Sequence, residues 1–280
     1  MTIGNALASS MRPELKIAAD VAWYRLRRFE MANLGAAGVI AVALALPVGD
    51  IVVRLSFGAL LNLLVYLNND YLDVVEDAAS PTKDAEKTRY LAEHRGAALR
   101  SQLGMLGVLL LIAWLYGDGL IWPLLFGGGV CWAYSAFLKH RPFVDVLAMM
   151  AWGVVMPWVA VPPGSEAGWA LLIQLGLFSG VFETIQVMRD HDEDRDTGVR
   201  TTAVVLGITR TRWLLRALLV AAGLYAAAAF AWWLAVLPWS VLALRIPERD
   251  LSAYWNRVRL LLGTTLLIEC ALVYLGAAAG

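Results

Sequence analysis

The residues best equipped for chemistry are acids that gather at two places in the chain. The first run reads Leu67-Asn68-Asn69-Asp70-Tyr71-Leu72-Asp73-Val74-Val75-Glu76-Asp77 and closes a long apolar stretch. On a helix Asp70, Asp73 and Asp77 stand at i, i+3 and i+7, so three carboxylates share one face. Like charges at that spacing repel, and the C-terminal end of a helix disfavours anions, so a merely solvated acidic face is the weaker account of them. A divalent cation with oxygen ligands is the simplest neutraliser. Mg2+ suits the set because it keeps several waters and takes only one or two carboxylates.

The second run is Arg189-Asp190-His191-Asp192-Glu193-Asp194-Arg195-Asp196-Thr197-Gly198-Val199-Arg200-Thr201. Asp190 and Asp194 lie one turn apart on a common face, and Gly198 supplies a helix stop after them. Asp192 and Asp196 fall off that face and read as solvated charges. Two such clusters imply two Mg2+ ions with a diphosphate held between them, phosphate oxygens completing the metal shells. Other chemistries lack their residues: His94, His140 and His191 have no partner at metal-ligand spacing, and no Gly-rich phosphate loop, Ser-His-Asp set or Cys-His cluster appears. Cys131 and Cys270 lie in apolar runs and read as small buried hydrophobes.

The acids need elements to carry them. Of 280 residues, 60% are apolar and only 16% charged, with a mean hydropathy of +0.63, which is too apolar for a soluble domain. Lys plus Arg equals Asp plus Glu at 23 each, so no charge excess points to nucleic acid. A span takes about 20 apolar residues. Candidates lie at 29–47, 51–72, 98–116, 119–138, 143–162, 168–188 and 258–278, and a longer stretch runs from Trp213 to Leu244. That stretch is too long to cross a ~30 Å hydrocarbon core once and just long enough for a tight hairpin of two short spans. The hairpin gives nine spans and returns Arg245, Arg249, Arg257 and Arg259 to the face that also receives Arg25, Arg27, Arg28, Lys87, Arg89, Lys139, Arg189 and Arg195. Arg54 alone is left for the other face, so the positive-inside rule places the N-terminus and both acid runs in the cytoplasm and the C-terminus outside. The first nineteen residues carry Glu14 and no signal-peptide core, so uncleaved insertion through the first span is expected. Residues 1–280 read as one helical-bundle domain in the lipid bilayer, with most of the twelve tryptophans serving as interfacial anchors.

The patterns Asn-Asp-x-x-Asp-x-x-x-Asp and Asp-x-x-x-Asp-Arg-x-x-Gly-x-x-Thr, each closing a span, resemble the two signature motifs of the UbiA superfamily of membrane prenyltransferases, which includes intramembrane terpene cyclases. The likeness runs from the second span through Leu206-Gly207. It implies an all-α integral membrane fold, a nine-transmembrane-helix bundle with a central cavity open to the cytoplasm. Carried over by position, Asn69, Asp70, Asp73 and Asp77 match the first motif and Asp190 and Asp194 the second, the aspartates as Mg2+ ligands. Lys87-Thr88-Arg89-Tyr90-Leu91 looks like the family's basic stretch, which places Lys87 and Arg89 at the diphosphate, as Arg195 is within the second motif. Tyr134 and Lys139 resemble the tyrosine and lysine that close the fourth span, and Glu183 stands where many members have an acid. Two positions depart from the pattern: Tyr66 replaces an asparagine common in members with aromatic acceptors, and Val187 replaces a third acid.

The resemblance implies an enzyme that ionises an isoprenyl diphosphate with Mg2+ and transfers the prenyl group to an aromatic or other lipophilic acceptor. Cyclisation of a single isoprenyl diphosphate is the alternative, and a cation-coupled transporter is a distant third, because the acids concentrate at one end of the spans. Tyr66, Trp132, Trp152 and Trp158 form a group whose aromatic faces suit a carbocation. Glu183 and Glu269, acids within spans, are functional candidates by default. The nine-span topology makes a simple forecast: a reporter active only in the cytoplasm, fused after Gly280, stays silent, and activity there removes the hairpin.

Overall fold

In lipid a chain must satisfy its own backbone polar groups, and helices do so within each segment. The computed structural model describes residues 12–28, 30–79, 84–139, 141–247 and 250–279, and every regular element among them is helical. Six helices are long and apolar enough to cross a membrane: Val48–Leu72, Arg95–Tyr116, Ile121–Leu138, Glu166–Arg189, Ile208–Ala229 and Ser252–Gly276. Three further apolar segments, Ala32–Ala43, Val144–Ala160 and Trp232–Ala243, are shorter.

In chain order the helices are α1 (Pro13–Arg27), α2 (Ala32–Ala43), α3 (Val48–Leu72), α4 (Val74–Ala79), α5 (Ala85–Glu93), α6 (Arg95–Tyr116) and α7 (Ile121–Ala133), which continues as a π-turn over Tyr134–Leu138. Then follow α8 (Val144–Val155), α9 (Glu166–Arg189), α10 (His191–Thr197), α11 (Thr202–Leu206), α12 (Ile208–Ala229), α13 (Val236–Ser240) and α14 (Ser252–Ala279). Prolines set several boundaries. Pro47 precedes α3, and Pro157, which lacks an N–H and cannot continue the ladder, turns the end of α8 into a short 3-10 segment, Pro157–Ala160. The stretch from Trp213 to Leu244 is indeed broken: α12 ends at Ala229, Ala231 is extended at φ −156° and ψ 136°, and the chain resumes at Trp232.

Helix α9 occupies the middle of the bundle, with 67% of its most apolar window buried against 28–33% for the other five long helices. Small residues let α8 reach it closely. A Cβ on Gly153 would lie 2.5 Å from the Ser179 side chain and 2.7 Å from the Leu175 carbonyl oxygen, and one on Gly176 would lie 2.7 Å from Val154. In a membrane such backbone proximity supplies the packing that the hydrophobic effect supplies in water. The amphipathic α1 packs on α6, α3 and α5 through Ile17 and Val21, which join Leu67, Leu91, Ala98 and Met105 in a second small core.

Both acid runs lie at one end of the bundle, and the opposite end is closed by a different polar group. Arg54 is 1% exposed; it pairs with Asp118 and donates to the Val159 carbonyl 3.0 Å away, while Tyr116 bonds Asp50. Its cation is therefore a buried tie between α3, the α6–α7 turn and the segment after α8. Removing Asp118, the exposed partner, leaves the buried Arg54 charge without its counter-ion, whereas replacing both leaves no charge to strand. Asp118→Asn is expected to lower the melting temperature in detergent, and the double variant Arg54→Met/Asp118→Asn to recover part of the loss; a double variant less stable than Asp118→Asn alone contradicts this account.

Candidate functional site

Asp70 ends the buried face of α3 and is 3% exposed. A carboxylate so placed requires partners, and it has two cations, one per oxygen: Arg25 Nη2 donates to Oδ1 at 2.6 Å and Lys87 Nζ to Oδ2 at 2.7 Å. Asp73 caps α3 in a bend before α4 and accepts from Lys139 Nζ at 2.6 Å and from Asn69 Nδ2 at 2.8 Å. Asp77 follows one turn later, its N–H donating to the Asp73 carbonyl at 2.8 Å, and it lines a small cavity with Asp70 and Lys87. The single helical face expected for the three acids is interrupted at Asp73, where the helix ends and a new short one begins, and basic side chains reach Asp70 and Asp73.

Tyr134 and Lys139 are five residues apart, about 140° around an α-helix, and would face different ways. The π-turn corrects this: the Lys139 N–H bonds the Tyr134 carbonyl at 3.1 Å, an i→i+5 closure that stacks one residue over the other. From this turn Lys139 reaches Asp73, Ser135 Oγ accepts from Asn69 Nδ2 at 3.1 Å, and the Tyr134 hydroxyl donates to Glu183 Oε1 at 3.3 Å. Glu183 is 3% exposed on α9, the helix that leads into the second acid run. The π-turn therefore links the first run to Glu183 on the helix that leads into the second.

In the second run Asp190 takes both bonds of Arg189, at 2.7 and 2.9 Å, and Asp194 Oδ2 accepts from the Thr201 hydroxyl at 3.1 Å. Gly198, in the left-handed conformation, ends α10 as its sequence position predicts. Asp192 and Asp196 are exposed and pair with Arg195 at 3.5 and 3.4 Å. Arg195 is thus turned toward surface acids, and Arg89, 74% exposed and 3.9 Å from Glu93, stands off the first run. Lys87 is the member of the basic stretch brought to the aspartates.

The proposed aromatic group does not gather. Tyr66 lies 6.1 Å from Trp152, but its face carries the Arg25 guanidinium at 4.5 Å and its hydroxyl donates to the Glu30 carbonyl at 2.5 Å. Trp132 is exposed and edge-on to Phe137, and Trp158 packs with Phe126 and Trp169. Glu269 is fully buried, and neither carboxylate oxygen has a hydrogen-bond partner among the described residues.

Several site residues escaped the sequence reading. Arg25 counted there only as a topology charge. Burial opposes its cation, yet Asp70 and then Glu30 outweigh burial and raise its pKa. Asp145, an acid at the start of a predicted span, is 1% exposed and accepts from the Thr202 N–H at 2.7 Å, from the Thr202 hydroxyl and from the Val146 N–H at 2.8 Å. It anchors the segment that carries Thr201, and so Asp194.

Among the described residues no three His, Cys, Asp or Glu side chains converge as a metal cluster, because Arg25, Lys87 and Lys139 stand between the acids of the first run. The donor set nonetheless fits Mg2+: its ligands are carboxylate oxygens, one or two per ion suffice, and the basic side chains mark where positive charge is already accommodated.

A sequence model described as the UbiA prenyltransferase family matches residues 33–247. The chain is 29% identical over 164 residues to a lycopene elongase/hydratase of Haloferax volcanii, covering 54% of this chain and 51% of that protein. It is 31% identical over 91 residues to a 4-hydroxybenzoate octaprenyltransferase of Serratia proteamaculans, covering 31% of each; the chain thus spans about half or less of the curated relatives it matches. In fold it is similar to a UbiA homolog from Archaeoglobus fulgidus solved with GPP and Mg2+, at a TM-score of 0.68 and 15% identity over 94% of this chain and 99% of that one. A structure of digeranylgeranylglyceryl phosphate synthase gives a TM-score of 0.70 at 14% identity over the same shares.

The Asp145 anchor has a measurable consequence. Asp145→Ala leaves the buried Thr202 N–H unpaired and is expected to destabilise the protein by about 1–3 kcal/mol; equal melting temperatures for Asp145→Ala and wild type would contradict the anchor.

Proposed function

The chain belongs to the UbiA prenyltransferase family, and on that premise we propose that it ionises an isoprenyl diphosphate within a nine-span bundle and passes the prenyl group to a lipophilic acceptor. The observation that carries this reading is the convergence of two acid runs at one end of the bundle through the Tyr134–Lys139 turn. Asp70, Asp73 and Asp77 would hold one Mg2+ and Asp190 and Asp194 a second, and Mg2+ bound there supplies positive charge to the diphosphate leaving group. The acid-bearing end would face the cytoplasm, as the charge asymmetry favours.

The chain's own residues account for the remaining work. Lys87 and Lys139, already beside the aspartates, donate to phosphate oxygens as the allylic C–O bond breaks and negative charge collects on diphosphate. Below them Tyr134 and Glu183 form the buried polar floor. Acceptor carbon attack forms the new C–C bond, the acceptor then loses a proton, and Glu183 is the carboxylate placed to receive it. A groove of about 620 Å³ between α2, α9 and α14 is lined by Ala36, Val39, Phe178, Leu262, Leu266 and Leu267, an apolar surface that would suit an isoprenoid tail. The relatives' names divide between lycopene and 4-hydroxybenzoate as the molecule acted upon, so an alkene or an aromatic ring is the acceptor class. Cyclisation without an acceptor is the second reading, and it would use the same metal and diphosphate groups without the proton transfer to Glu183.

Purified protein incubated with Mg2+ and geranyl, farnesyl or geranylgeranyl diphosphate, with and without lipophilic acceptors, tests both readings. Acceptor-dependent prenylated product is expected; cyclic hydrocarbon without acceptor selects the cyclase, and turnover unaffected by EDTA defeats the metal account. Asp70→Ala, Asp73→Ala, Asp190→Ala and Asp194→Ala should each lower turnover roughly 100-fold or more, Asp192→Ala and Asp196→Ala far less, and Lys87→Ala should cost more than Arg89→Ala.

A further inference from the structure

Arg25 lies in the last turn of α1, before the residues that the family model covers, yet it is among the best-held side chains of the site. It is 9% exposed. Nη1 donates to Glu30 Oε2 at 2.5 Å, Nη2 to Asp70 Oδ1 at 2.6 Å, and the plane rests on the Tyr66 ring at 4.5 Å. Tyr66 in turn fixes the Glu30 backbone, its hydroxyl 2.5 Å from that carbonyl. One donor is left over: the buried Nε–H of Arg25 has no acceptor among the described residues. A buried donor without an acceptor is costly, and a guanidinium has a second edge suited to a bidentate oxyanion.

We infer that Arg25 is a diphosphate-binding residue held in reserve by Asp70: it neutralises that aspartate until a divalent cation takes the carboxylate, and then turns its freed edge to a phosphate oxygen of the substrate. This rests on the reading of the site as a metal-diphosphate centre. The electrostatics give the direction. A divalent cation at Asp70 repels Arg25 and Lys87, which share that carboxylate's two oxygens, so Arg25 competes with the cation. An incoming diphosphate carries the negative charge that relieves the repulsion, so the same side chain assists the anion. Glu30 and the Tyr66 ring hold the guanidinium throughout, and only Nη2 and Nε need new partners. Tyr66 is then a platform for an arginine, which accounts for an aromatic residue at that position.

The two roles predict effects of opposite sign in Arg25→Gln. Mn2+ titration of full-length protein without diphosphate, followed by the electron paramagnetic resonance signal of free Mn2+, should show tighter cation binding than wild type. Calorimetric titration of inorganic diphosphate in saturating Mg2+ should show binding weakened roughly tenfold or more, with Arg25→Lys recovering part of it. If both affinities fall together with the melting temperature, Arg25 is a structural clamp and the inference is overturned. Unchanged diphosphate affinity overturns it also, by leaving Arg25 a counter-ion only. Failure of wild type itself to bind diphosphate with Mg2+ overturns the metal-diphosphate reading and this assignment with it.

Discussion

A carboxylate as buried as Asp70 must be matched by positive charge, and much of the acid-bearing end is arranged around that requirement. Lys87 comes from α5, whose first turn is capped by Asp84 accepting from the Lys87 N–H at 3.1 Å. Arg25 comes from α1, which binds the bundle through Ile17 and Val21 and places its last turn over α3. Neither short helix crosses the apolar layer. Each is positioned so that one long basic side chain, its stem packed against neighbours, ends at the same aspartate.

The two ends of the bundle solve the same problem for different purposes. At the far end Arg54 is sealed between Asp118 and the Val159 carbonyl, and a single tie of this kind has no reason to open. At the acid-bearing end several cations share the acids: Arg25 and Lys87 meet at Asp70, Arg25 and Arg28 at Glu30, and Lys139 reaches Asp73. Divalent cations joining such a set would add positive charge to it. Under the proposed function, diphosphate would be the anion that offsets that charge, so cation and diphosphate would favour each other's binding.

The long apolar helices and the break between Trp213 and Leu244 were legible because apolar length marks them in the sequence. Periodicity explains what was missed. The positions of Tyr134 and Lys139 disagree with an α-helix, and only the i→i+5 turn makes them neighbours; an inserted residue leaves no mark in a hydropathy profile. Lys87 and Arg89 differ by two positions and hence by face, a distinction that depends on where α5 starts. Arg25 was invisible for another reason: a charge before the first span satisfies the positive-inside rule wherever its side chain points.

Asp145 shows how an acid passed over on sequence is assigned by geometry. An acid inside an apolar segment is a functional candidate by default, which singles out Glu183 and Glu269 but not Asp145 at the start of its span. Their partners separate them. Asp145 is saturated by the Thr202 N–H and hydroxyl and by the Val146 N–H, so its charge is spent on fixing the loop that holds Thr201 against Asp194. Glu183 has one long bond from Tyr134 and retains acceptor capacity toward the site. Glu269 lies far along α14 from its acid-proximal end, with no hydrogen-bond partner for either oxygen among the described residues. Hydrogen-bond saturation thus decreases from Asp145 through Glu183 to Glu269, and it is greatest at the acid that anchors a loop.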